Sequence, residues 1–237
     1  MADPTTQELV ARLESLQARR GYLLPHHGLM ALTAPGLLAA YDAAYTALAL
    51  DDRVLSHHDR EFVWLAILIA TDEAIATHHI PKFRAAGGTD AEFRAIMALT
   101  ATVCGFRAYR FVDRHWRTHL PDIDPEADWA RAVAAAGQVA EPRLVHMAAC
   151  AVQTCMGAWD GLRWQLRAAL HGGVPETELA EALSLTMFPG SVPYFVEAAK
   201  HWREMIRADE VPASPAFRAW AELPGQEGHQ AATGNAP

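Results

Sequence analysis

The chain has 237 residues, 47 of them alanine, and is 51% apolar, with 20 basic against 28 acidic side chains and a formal net charge of -8. That apolar share argues against a disordered chain, and Ala, Leu, Glu and Arg in place of β-branched and aromatic residues argue against a strand-rich sandwich. The acidic balance, with no basic stripe, argues against a nucleic-acid partner, and no apolar run approaches the roughly 20 residues of a membrane span.

In chain order, Thr6 to Arg20 reads as an amphipathic helix with Leu9, Val10, Leu13 and Leu16 on one side. Residues 21–28 read as a loop, and Pro35 opens a second helix to about Leu50. Ser56 and Asp59 offer a cap for a helix through the apolar segment to Ala70. Thr71, with Asp72 and Glu73 behind it, is expected to cap the next helix, running to Gly87 and Gly88 and kinked by Pro81. Thr89 and Glu92 form a capping box for a helix that continues, with a break at Gly105, to about Leu120. Residues 121–128 are acidic and proline-containing and read as a linker. Further helical segments are expected at about Trp129 to Ala140, Pro142 to His171, Pro175 to Phe188 and Pro193 to Ala208, and the tail from Glu222 onward is expected to be disordered.

The two halves echo each other. At a shift of 85 or 86, Gly87-Gly88 meets Gly172-Gly173, Leu99-Thr100 meets Leu185-Thr186, and His115-Trp116-Arg117 meets His201-Trp202-Arg203. An ordered series of matches of this kind implies an internal duplication. The expected organisation is an N-terminal helix and loop (1–29), a first repeat (30–120), the linker (121–128), a second, degenerate repeat (129–208) and a C-terminal tail (209–237).

The segment from Asp59 to Thr89 carries the most chemistry. Arg60-Glu61 opens an apolar helix, His78-His79 follows, and Ala86-Gly87-Gly88-Thr89 makes a turn into a capped helix. With the Phe188-to-Pro193 segment of the second half, this resembles the carboxymuconolactone decarboxylase family, which includes alkylhydroperoxidase D-like proteins. The resemblance covers roughly residues 30 to 118 and 140 to 206. It implies an all-α, internally duplicated alkylhydroperoxidase D-like helical fold. It also implies a homo-oligomer, with a trimer favoured for a duplicated chain. Where the family's thiol-using branch carries Cys-x-x-Cys, this chain has Asp72 and Ile75, and the repeat has Gly157 and Asp160, with Trp164 at the histidine position. Thiol peroxidase chemistry needs a thiolate and a resolving partner, so that activity is not expected. Cys104, Cys150 and Cys155 read as free thiols of a cytoplasmic protein.

What remains is acid–base chemistry. Glu61 and His79 are the expected catalytic centre, supported by Asp72 and His78, because a carboxylate beside an imidazole makes a general acid/base pair near neutral pH. Asp72 and His79 are expected two turns apart on one helix face. Glu73 and the pairs His26-His27 and His57-His58 are weaker candidates. The reading is a cofactor-independent, decarboxylase-like lyase acting on a small carboxylated or lactone-type, aromatic-derived compound, without a metal. Two alternatives stand beside it. One is a metal enzyme using Glu61, Asp72 and His79 as ligands, the other a non-catalytic oligomeric scaffold.

Overall fold

The computed structural model describes residues 5–226 and 228, and among these the chain is helical without strands. It divides into two compact units, residues 1–52 and 53–237.

The first unit holds α1 (Thr6–Arg20), α2 (Pro25–Thr33) and α3 (Pro35–Tyr45), the last prolonged by a π-helical turn, Thr46–Leu50. A capping box opens α1: the Thr5 hydroxyl accepts from the Glu8 N–H, and the Glu8 carboxylate accepts from the Thr5 N–H at 2.8 Å. Gly21, at φ 79°, closes it. Leu16, Ala31 and Leu38 form the small core, with Leu9 and Leu13 packed against it, whereas Val10 faces solvent. The loop expected over 21–28 is shorter than its composition suggested. Pro25 takes the first position of α2, where a missing N–H costs nothing, and the Leu24 N–H donates to His27 Nδ1 at 3.1 Å.

The second unit begins with α4 (His57–Ala70), α5 (His79–Ala85), α6 (Asp90–Cys104) and α7 (Arg107–Phe111), the last followed by a π turn, Val112–Trp116, and a 3-10 turn, Arg117–His119. It continues through α8 (Pro125–Ala136), α9 (Pro142–Cys155), α10 (Trp159–His171), α11 (Glu176–Ser184), α12 (Val192–Arg207) and α13 (Pro215–Glu222). At its centre α4 packs against α9. Around that pair, α5 and α6 lie on α4, and α10 and α11 on α9. Phe62 to Leu68 are all buried, and so are Met147 to Cys155, which is why neither central helix shows a polar face. Ala148, Ala149 and Ala151 are wholly inaccessible, and their small side chains let neighbouring backbones approach closely.

Charged groups fasten the N-terminal ends of the central pair. His58 bridges Asp59 (3.1 Å) and Glu92 (3.0 Å), while Arg143 bridges Asp59 (2.6 Å) and Glu178 (2.7 Å). Deeper in, Arg60 is fully buried and lies 3.7 Å from Glu181, whose other oxygen accepts from the Val54 and Leu55 N–H groups.

Several boundaries differ from expectation. Asp124 caps α8 inside the acidic stretch read as linker, since an Asp-Pro pair is a helix start as well as a break. Residues 142–171 form two helices, separated where Gly157 takes φ 60°. Ser214 caps α13 within the segment assigned to the tail. The disorder expected beyond Glu222 falls largely on residue 227 and residues 229–237, outside the described residues.

The run Asp90–His119 has the length and apolarity of a membrane span by composition. It buries Ala95, Ile96, Leu99 and Val103, and α6 packs on α4, α8 and α9.

Candidate active site

The site is built on α4. Glu61 and Trp64 are three residues apart, so they share a face of this buried helix. The chain then reverses. Thr71 ends α4, the Asp72 N–H donates to the Ile69 carbonyl, and the Glu73 N–H donates to the Leu68 carbonyl at 3.0 Å. These two bonds are those of a Schellman termination, and they place Asp72 at φ 56°, in the left-handed region. The helix expected over residues 71–87 is therefore absent from its first half. Residues 71–78 form a loop, and only α5 follows. Pro81 lies in the first turn of α5, where it kinks nothing.

This loop delivers His79 onto Glu61. The Nδ1 of His79 lies 2.6 Å from Glu61 Oε2, and both residues are buried, at 1% and 3% exposure. A carboxylate only accepts, so Nδ1 carries the proton and Nε2 is left to exchange one. The Trp64 indole stacks on the imidazole with ring centroids 4.7 Å apart and 19° between planes. The half-buried ring of His78 also lies beside it, tilted by 41° with 4.3 Å between centroids.

Of the four expected catalytic residues, Glu61, His79 and His78 are thus brought together. Asp72 is not: its place on an exposed loop, rather than on a helix with His79, removes the two-turn relationship. For the same reason Glu61, Asp72 and His79 do not converge as metal ligands. No group of three or more His, Cys, Asp or Glu side chains among the described residues is placed to hold a metal ion. The other histidine pairs serve elsewhere, His57-His58 at the start of α4 and His26-His27 in the first unit.

Asp72 instead lines an open groove of about 320 Å³. Leu65, Leu68 and Ile69 of α4 and Phe93 of α6 form its apolar walls, and Asp72, Glu73 and Thr77 supply its polar side chains. Neither member of the Glu61–His79 couple lines the groove, but its lining includes their neighbours along the chain. Leu65 follows Glu61 by one helical turn, Ala76 accepts the His79 backbone N–H at 3.2 Å, and Ile80 is the next residue. These walls were unmarked in the sequence, where Leu65, Leu68 and Ile69 are ordinary core residues. Their i, i+3, i+4 spacing is the only signal that they share a face.

The thiols are on other helices, Cys104 at the end of α6 and Cys150 and Cys155 on α9. Burial pushes both α9 thiols up, that of Cys155 to about 12, and burial also raises Cys104. All three are held in the unreactive protonated form at neutral pH.

Residues 35–114 match the family model of the carboxymuconolactone decarboxylase family. The matched stretch takes in Glu61, Trp64, the loop 71–78 and His79. No curated protein and no solved structure matched the chain.

Proposed function

From a carboxymuconolactone decarboxylase family domain at residues 35–114, we propose that the chain is a cofactor-independent lyase of decarboxylase type, with Glu61 and His79 acting as one acid–base couple. The observation that carries the reading is the 2.6 Å contact between Glu61 and the His79 imidazole beneath Trp64. Glu61 fixes the tautomer and stabilises the imidazolium, so His79 Nε2 can give and retake a proton. A small substrate with its own carbonyl or lactone electron sink needs nothing more. The carbon–carboxylate bond breaks, its electron pair enters the sink, CO₂ departs, and the proton from His79 is delivered to the carbon left behind. His78, beside His79 and half-buried, orients the substrate. The groove whose lining includes Leu65, Ala76 and Ile80 is the proposed approach to the buried couple.

Turnover tests this with a panel of small carboxylated and lactone-type compounds, by CO₂ release and loss of substrate. Glu61→Gln and His79→Gln are each expected to lower kcat by about 100-fold or more, the usual range for removing a general acid or base. Full turnover in both variants would end the catalytic reading. The low exposure of the couple favours a second reading, in which it is a structural pin in a non-catalytic protein. That reading expects both variants to lose stability, and the wild type to turn over no compound in the panel.

A further inference from the structure

The groove at Asp72 and Glu73 has a charge character of its own. Its walls are apolar, with Leu68, Ile69, Ile80 and Phe93 among them. Its charged lining residues are Asp72 and Glu73, and no Lys, Arg or His lines it. Both acids are exposed, and neither is tied into an ion pair or a side-chain hydrogen bond among the described residues. This is unusual for the chain, where other acids in the second unit, such as Asp59, Glu178 and Glu210, are held by arginines. The loop geometry presents the two acids together. The left-handed turn at Asp72 ends α4, and Asp72 and Glu73 after it both line the groove.

We propose that this groove binds the distal end of the substrate, and that this end is an apolar group carrying an ammonium rather than a carboxylate. The proposal rests on the acid–base reading only for the word substrate; the groove's preference is a property of its own lining. An apolar ring or chain fills the space between Leu68, Ile69, Ile80 and Phe93, removing their exposed surface from water. The ammonium faces two carboxylates that have no other cation. An anion there would meet two like charges at the mouth of a solvent-open groove, a repulsion that salt screens. Any carboxylate that the couple expels as CO₂ therefore lies at the His79 end, and the groove discriminates against a second one.

The test uses methyl-labelled full-length protein and three probes of one shape: 2-phenylethylammonium, 2-phenylethanol and 3-phenylpropionate. Methyl resonances of Leu65, Leu68, Ile69 and Ile80 report binding without any turnover. The ammonium probe is expected to shift these methyls with a Kd about tenfold tighter than the alcohol, and the carboxylate probe to bind more weakly than either. Asp72→Asn with Glu73→Gln is expected to remove the ammonium preference and leave the alcohol unaffected; Asn keeps the left-handed turn accessible. Raising the salt from 0.1 to 1 M is expected to weaken only the ammonium probe. The proposal is overturned if the carboxylate probe binds as tightly as the ammonium, or if no probe moves the groove methyls. A preserved ammonium preference in a protein whose Glu61→Gln and His79→Gln variants turn over normally would end the acid–base reading and leave the groove assignment standing.

Discussion

Glu61 and His146 occupy the fifth position of two 14-residue helices, α4 and α9, and each reaches the helix that follows its own. Glu61 holds His79 at 2.6 Å, and His146 Nδ1 lies 2.7 Å from the Gln165 amide. The first pair is a carboxylate with an imidazole, the second an imidazole with a neutral amide. Burial keeps His146 from protonating readily by lowering its pKa. The carboxylate–imidazole pair is thus found at the first of the two comparable positions and not at the second. Two substitutions separate their roles. Glu61→Ala is expected to cost about 3 kcal/mol, because it leaves a buried imidazole without its charge partner. Gln165→Ala is expected to cost about 1–2 kcal/mol and leave turnover unchanged. Urea denaturation read beside turnover checks both. A Gln165→Ala variant with impaired catalysis would contradict the assignment.

Asp72 sits where a helix terminates in the left-handed region, a conformation that favours glycine. Asp72→Gly is expected to leave the fold intact and to raise stability by about 0.5–1 kcal/mol, while Asp72→Val lowers it by about 1 kcal/mol or more. Thermal unfolding of the two variants under one buffer decides this. A destabilised glycine variant would show that the carboxylate, and not the backbone, fixes the turn.

His27 is buried beside His26, with Arg20 and Asp42 nearby, and its Nδ1 accepts from the Leu24 N–H. Burial first, then the charges of His26 and Arg20, pull its pKa down to about 4, against the upward pull of Asp42. In the unfolded chain it takes a proton near its ordinary value of 6.5. Between those values the unfolded state binds more protons, so the stability of residues 5–52 is present above pH 6.5 and falls as the pH drops toward 4. Hydrogen exchange of α2 amides at pH 7 and pH 4.5 measures the loss. An NMR titration placing the His27 ring near 6.5 in the folded protein would contradict it.

The native protein is expected to react slowly with a disulfide reagent at pH 7.5, and at Cys104 before the two thiols of α9. Burial raises all three, and only Cys104 is exposed. All three should react at once in denaturant. Replacing all three by Ser is expected to leave any lyase turnover unchanged, provided the variant folds, which far-UV circular dichroism verifies. Loss of turnover in a folded triple variant would bring thiol chemistry back.

Arg60 and Glu181 form a buried charged pair whose carboxylate also accepts from two backbone N–H groups. Glu181→Ala is expected to cost about 3–5 kcal/mol, because it strands a fully buried guanidinium together with those donors. Adding Arg60→Met to Glu181→Ala should recover part of that loss, since it removes the unpaired charge. A double-mutant cycle by urea unfolding gives the sign directly.

Some of these features were open to reading in the amino-acid order and some were not. The Ser56 cap gave the start of α4 and the Thr89–Glu92 box the start of α6, because a cap is a local contact within three residues. The break after α4 was hidden by good helix-starting chemistry at Thr71, Asp72 and Glu73. The alignment of Asp72 with Gly157 at a shift of 85 held the clue, since Gly157 also ends its helix with a positive φ. Helix α13 was missed because eight residues between prolines carry little periodicity, and its Ser214 cap resembles loop composition. The closeness of Glu61 and His79 could be suspected from the family resemblance alone, because the distance depends on how residues 71–78 fold back. The charge of the groove could not be suspected at all, since its walls are contributed by α4, the loop, α5 and α6.

The mutual burial of α4 and α9 has a consequence for any attempt to take the molecule apart. Each is buried around nearly its whole circumference, and each is the other's neighbour in the core. A fragment ending in the 121–128 segment would carry α4 with one flank bare, and the complementary fragment would carry α9 in the same state. Both would precipitate or associate with each other before they behaved as independent proteins. The two lengths of chain are thus bound to a common fate: neither can be lost, expressed or reshuffled without the other.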